Sequence, residues 1–291
     1  MMPSIFSWRT ISIAMIISVL AACGSKESSK ENALKSSSTD RQLVFQKAGF
    51  KVTVPTSWSK ETYRIHEMSA PEREEILPGA AHLISLEYEP LGNPSAPKNV
   101  LSFIALSEEW RDEIGKEGSP SPVAVLGRNS DYIFLLTLPQ ANPFPDSLED
   151  FRRFNQLLRG LGSVISTFEI LDGAIPPTVE ELTGAAFSAQ LPAADASMRL
   201  ITLRCSEEGA ASMVTEFIGK GEPIKEMGEW SLAENVLSFQ PLSDESLPKG
   251  APLKWTVKGE FLIPLEWDRN LYGSLGLPLR QLKRPVTVTE E

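Results

Sequence analysis

The stretch LKWTVKGEFLIPLEWDRN, Leu253–Asn270, reads as two short strands joined at Lys258-Gly259-Glu260. Trp255 and Val257 alternate with polar neighbours, the pattern of a strand with one buried face, because successive side chains point to opposite sides. The pattern recurs in LTGAAFSAQLPAADASMRLITLRC (182–205), MVTEFIGKG (213–221), EMGEWSLAENVLSFQP (226–241) and LGLPLRQLKR (275–284). Gly, Pro or Asn punctuates each piece, and no helical spacing interrupts them. Short strands at this spacing predict an all-β domain over 178–286, a small antiparallel barrel or a sandwich. Closure into a barrel is favoured because a small open sheet leaves edges to aggregate. Within it, Trp230 and Phe239 read as core, and Gly228 permits a tight turn into its strand. Trp255, Phe261 and Trp267 stand at strand ends and are candidates to line a barrel mouth that holds an apolar small ligand or lipid.

Residues 41–171 read differently. FKVTVP (50–55), HLISLEY (82–88) and VLSFIAL (100–106) alternate as strands, and DYIFLLTLP (131–139) is apolar enough for a central one. Ser107 is placed to cap a helix that carries Trp110 and Ile114. Ser147 and Asp150 have capping-box-like spacing before Phe151, Phe154, Leu158 and Leu161, an amphipathic helix. SVISTFEIL (163–171) closes the segment as a further strand. The connections between strands are too short for parallel crossovers, so an α+β layer domain on an antiparallel sheet is expected. Asp172-Gly173-Ala174-Ile175-Pro176-Pro177 is the linker, residues 172–177, and 287–291 form a tail.

The amino-terminal end carries a processing signal. Ile11–Leu20, ISIAMIISVL, has the length of a signal-peptide apolar region and is too short to span a bilayer as a mature helix. Leu20-Ala21-Ala22-Cys23 resembles the bacterial lipobox; the other reading is an ordinary signal peptide with a chance cysteine. The resemblance implies cleavage after residues 1–22 and acylation, palmitate included, at Cys23, which anchors the chain to a membrane. Residues 23–40 are Ser- and Lys-rich and form a tether.

The chain has 291 residues and a formal charge of −10. Without residues 1–22 it keeps 27 basic against 38 acidic residues, a charge of −11. This balance, with no basic cluster beyond the tether, argues against a nucleic-acid partner. Cys23 and Cys205 are the two cysteines. With Cys23 acylated, Cys205 in the alternating run Ile201, Leu203, Cys205 reads as a small buried hydrophobe. The histidines are His66 and His82; a two-strand metal site with Glu67 or Glu87 is the sharper reading, surface or edge-strand histidines the plainer one. The acidic groups near residues 72 and 108 lack the Gly-punctuated spacing of a calcium loop. The sequence calls for no metal and no cofactor. It holds no nucleophile elbow, phosphate loop or His-Glu-x-x-His run, so no catalytic residue is assigned and a non-enzymatic role is expected. A hydrolase with scattered residues is the lesser alternative.

Two resemblances add to this reading. FKVTVPTSW, the following strands and LPQANPFP before the last helix look like bacterial lipoprotein domains of the PsbP-like type, which implies a layer fold and binding or assembly roles. The second segment resembles the amino-terminal domain of the NlpE lipoprotein family. The matching positions are Leu182-Thr183-Gly184, Leu191-Pro192, Gly228-Glu229-Trp230, Val257-Lys258-Gly259-Glu260, a strand ending at Asp268, and Leu277–Leu282. This implies a lipocalin-like small barrel, and a role in outer-membrane adhesion sensing or copper-linked envelope stress. The family loop commonly reads Leu-Pro-Cys-Ala-Asp-Cys, and here Ala193 and Ala196 replace both thiols. Alanine cannot hold soft copper(I) or form a disulfide, so copper resistance does not carry over. With Gly24 rather than Asp after the cysteine, the resemblance implies the periplasmic face of the outer membrane, or the outer face of the cytoplasmic membrane in a single-membrane organism. The function expected is an interaction or stress-sensing module with an envelope protein partner; the alternative is a carrier of a small apolar ligand or lipid.

Overall fold

The computed structural model describes residues 40–93, 96–107, 109–110, 123–191, 193, 196–242, 252–265 and 278–282. All belong to one compact unit, Ser38–Glu291. The architecture is a pair of antiparallel sheets with a few helices, followed by a closed eight-stranded antiparallel barrel.

In the first part, β1 (Arg41–Phe45) and β2 (Phe50–Val54) form a hairpin around Gly49, whose φ of 75° suits glycine. The two-residue strand β8 (Glu169–Ile170) joins β2 to complete a three-stranded sheet. The larger sheet has the order β3-β4-β5-β7-β6, built from β3 (Tyr63–Glu67), β4 (Ala80–Tyr88), β5 (Lys98–Ser107), β6 (Val123–Arg128) and β7 (Tyr132–Thr137). Helix α1 (Ala70–Ile76) starts at a capping box of Ser69 and Glu72. Helix α2 (Leu148–Thr167) starts where Ser147 accepts from the Asp150 amide. The predicted helix at Ser107 falls on residue 108 and residues 111–122, outside the described residues.

The first core lies between one face of the five-stranded sheet and a layer made of the small sheet and α2. Phe50, Phe103, Phe134 and Phe168 meet at its centre, with Phe103 and Phe168 stacked at 5.8 Å. Such ring pairs contribute about 0.5–1.5 kcal/mol beyond their buried area. The other face of the sheet buries Leu83, Ile104, Leu106, Ile133 and Leu135 under Met68, Leu77 and Trp110. Burial on both faces explains why β5 and β7 read as continuous apolar runs.

The expected strand at 163–171 is mostly helix. Val164, Ile165 and Phe168 extend the spacing of Phe154, Leu157 and Leu161, and the packing of that face overrides the strand preference of the β-branched residues. Gly160 lies in the helix interior because Trp58 needs its space: an added Cβ would sit 2.2 Å from Trp58 Nε1.

Residues 173–178 carry no regular structure. Thr178 and Glu181 then form a capping box on α3 (Val179–Leu182), a short helix where the sequence suggested a strand start. The barrel follows as β9 (Ala186–Leu191), β10 (Arg199–Cys205), β11 (Ala210–Phe217), β12 (Lys220–Ala233), β13 (Val236–Pro241), β14 (Leu253–Lys258), β15 (Phe261–Pro264) and β16 (Leu279–Gln281). Each strand pairs with the next, and β16 closes on β9 through Arg280 opposite Ser188. Inward residues of every strand form the second core, led by Phe187, Leu203, Leu237, Phe239 and Leu262.

The Trp58–Gly160 contact is directly testable. Alanine is the better helix former by about 1 kcal/mol, but its methyl would displace a Trp58 that is 4% exposed, at a cost of about 1–3 kcal/mol. Gly160→Ala is therefore expected to lower the thermal midpoint; a rise would show that Trp58 moves freely.

Candidate functional site

Three places draw attention: the barrel interior, the loop after β9, and the junction where the β14–β15 hairpin meets the first sheet. The interior is filled by side chains. Trp230 and Trp255 are each 6% exposed, and Phe187 and Phe239 are 0% exposed. The Trp230 indole donates to the Ser206 carbonyl at 2.9 Å, so its polar edge is satisfied. Cys205 belongs to the same interior, and burial pushes its thiol up to about 12. At neutral pH it is a protonated, inert group.

The expected pocket does not assemble. Trp255 points into the barrel, while Phe261 is buried in the first core, on the other side of the wall. The register explains it. Lys258 pairs with Phe261, Val257 with Leu262 and Trp255 with Pro264. Odd positions of β14 therefore share a face with even positions of β15, and Phe261 faces outward. Trp267 lies outside the described residues. Two clefts, of about 330 and 450 Å³, lie at the β11–β12 turn and beside α3. Neither reaches Trp230, Phe239 or Trp255.

The loop after β9 turns the chain between two strands. Ala193 and Ala196 are half-buried, and Pro192, Ala194 and Asp195 lie outside the described residues. Ser197 Oγ donates to the Ile218 carbonyl at 3.1 Å, and the Ile218 amide donates to the Met198 carbonyl at 2.9 Å. The end of the loop is thus tied to the β11–β12 turn by one side-chain and one backbone bond.

The histidines are not brought together. His66 lies opposite Ser85, with Nδ1 3.3 Å from Glu87 Oε1 and Nε2 3.6 Å from Glu72 Oε1. His82 meets the Tyr132 ring edge-on at 6.0 Å. Desolvation is the main cause that lowers the His82 pKa. Among the described residues, no group of three or more His, Cys, Asp or Glu is arranged to hold a metal. Cys23 and the lipobox residues Leu20, Ala21 and Ala22 lie outside the described residues.

The junction was not foreseen. β6 is the edge strand of the five-stranded sheet, and the Glu260 amide donates to its Val125 carbonyl at 2.7 Å. The Ile175 amide donates to the Arg128 carbonyl at 2.9 Å, and Arg128 pairs with Glu181 at 2.7 Å. Gly259 turns the chain with φ 54°, and any Cβ there would sit 2.2 Å from the Val125 carbonyl. Lys258 Nζ donates to the carbonyls of Ser166 and Phe168 at 2.5 and 2.6 Å, at the carboxyl end of α2. Carbonyls there lack helical partners and carry the negative end of the dipole, so a cation suits them. Burial lowers the Lys258 pKa, and nearby Glu169 opposes that shift. The sequence signal for this junction was Phe261-Leu262-Ile263, an apolar run where a half-exposed strand would alternate.

These features define a class: a protein of antiparallel layers joined through a buried hairpin to a closed, side-chain-filled barrel. No protein-family profile and no curated protein matches the chain. Among solved structures it is similar over part of its length to the Cpx pathway activator NlpE from Escherichia coli. The two are 22% identical over 37% of this chain, with a TM-score of 0.25. The match spans 50% of that chain, so this protein covers about half the length of that relative.

The junction predicts coupled opening. Gly259→Val introduces backbone strain and a clash, at a cost of about 2–4 kcal/mol, and Lys258→Met removes the helix cap, at about 1–2 kcal/mol. Both should speed labelling of Cys205 by a thiol reagent at neutral pH, because the buried thiol reacts only when the barrel opens. Rates equal to the unmodified chain would show that the junction does not hold the barrel.

Proposed function

We propose that the protein is a non-enzymatic lipoprotein of the bacterial cell envelope, held by an acylated Cys23, that works as a protein-interaction or stress-sensing module. The observation that carries this reading is the filled barrel. With Phe187, Trp230, Phe239 and Trp255 occupying its interior, the fold offers a partner its surface rather than a cavity. The lipobox-like Leu20-Ala21-Ala22-Cys23 supplies the anchor, and Gly24 favours the periplasmic face of an outer membrane. The missing thiols at Ala193 and Ala196 favour a role without copper or disulfide chemistry. The acidic balance favours protein over nucleic-acid partners.

Growth with radiolabelled palmitate, followed by native mass spectrometry of the detergent-extracted full chain, tests the reading. Label should enter the unmodified chain and not Cys23→Ala, and the extracted mass should equal the acylated chain alone. A labelled Cys23→Ala chain would refute the anchor. A co-purifying small molecule would favour the carrier role.

A further inference from the structure

The solvent face of α2 carries a pattern that the two cores do not use. Leu148, Phe151, Arg152 and Arg159 recur at helical spacing and share one side of the helix. Leu148 is 64% and Phe151 39% exposed. Arg153 is paired with Glu149 at 2.8 Å, whereas Arg152 and Arg159 have no acidic partner among the described residues. Two arginines without an acidic partner among the described residues thus stand beside exposed Leu and Phe in a chain of charge −10.

The same helix flank lies next to the start of the described chain. Gln156 lies between the two arginines in sequence, and its side chain donates to the Ser57 carbonyl at 3.2 Å. The neighbouring Thr56 amide donates to Asp40 Oδ1 at 3.1 Å. Asp40 is where the segment from Cys23 ends. A tether of that length has a root-mean-square reach of roughly 20–25 Å. An anchor at Cys23 would therefore favour this flank over a remote one at the lipid surface, without fixing the orientation.

We propose that the Leu148–Arg159 face of α2 docks on an anionic membrane surface, with Leu148 and Phe151 entering the headgroup region and Arg152 and Arg159 meeting lipid phosphates. This rests on the lipoprotein reading for its geometry. Charge decides between this face and the other exposed apolar patch. Ile224 and Met227 are 54% and 59% exposed, but around them Glu222, Glu226 and Glu229 outnumber Lys220 and Lys225, a balance that does not attract an anionic surface.

Lipid crosslinking tests the proposal. The full chain is prepared with a photoreactive benzoylphenylalanine in place of Leu148 or, as a control, of Glu222. Each is reconstituted with vesicles of phosphatidylcholine, with or without phosphatidylglycerol. Lipid adducts at 148 are expected to exceed those at 222 about fivefold or more when phosphatidylglycerol is present. Arg152→Glu with Arg159→Glu should lower them by about tenfold or more. Equal yields at the two positions, or yields that the charge reversal leaves unchanged, would overturn the proposal. Flotation of the unmodified chain with neutral vesicles reads the Cys23 anchor separately. Its failure would remove the anchor, while the yields at 148 would still decide the face.

Discussion

Phe261 and Leu262 are neighbours in sequence and belong to different cores. The alternation that places Leu262 inside the barrel turns Phe261 and Ile263 onto the first core. One strand of the barrel wall thus serves as the floor of the layer domain. Burying a phenylalanine contributes about 1.5–3 kcal/mol, and here that gain exists only when both parts are in place. Gly259 makes the approach feasible, since no side chain fits between the hairpin turn and the Val125 carbonyl. Lys258 completes it by answering two carbonyls that α2 cannot satisfy within itself.

This arrangement also resolves an exposed edge. β6 would otherwise present a row of unpaired backbone groups, the common starting point for strand addition between chains. The Glu260 amide occupies one of its outward carbonyls and the Ile175 amide another. The segment after Leu171 therefore does more than connect: its backbone and the β14–β15 turn cover the same edge from two directions.

Much of the fold was legible because period two is hard to mistake. The alternating runs from 182 to 284 led to the barrel, and Ser147 located the start of α2. The failures have physical causes. Val164, Ile165 and Thr167 favour strands locally, yet the face they extend is already helical and packed, so the helix continues to Thr167. The helix α3 is one turn long and is defined by the Thr178–Glu181 cap rather than by apolar spacing. Trp255 and Phe261 seemed to converge because spacing along the chain does not reveal the pairing register, and the turn exchanges odd and even positions. The junction was hidden for a related reason. Burial of a strand's second face by a distant part of the chain leaves only a short apolar run as its trace.

The Val125–Glu260 bond joins positions more than a hundred residues apart, with the whole of β7, α2 and most of the barrel between them. A chain made from its amino end at about 5–20 residues per second therefore exposes the β6 edge for seconds before its cover exists. The layer domain, first to be made, waits for the β14–β15 hairpin, and only β16, which closes the barrel, follows it. Truncation between β6 and Glu260 would leave an adhesive edge as well as an incomplete barrel.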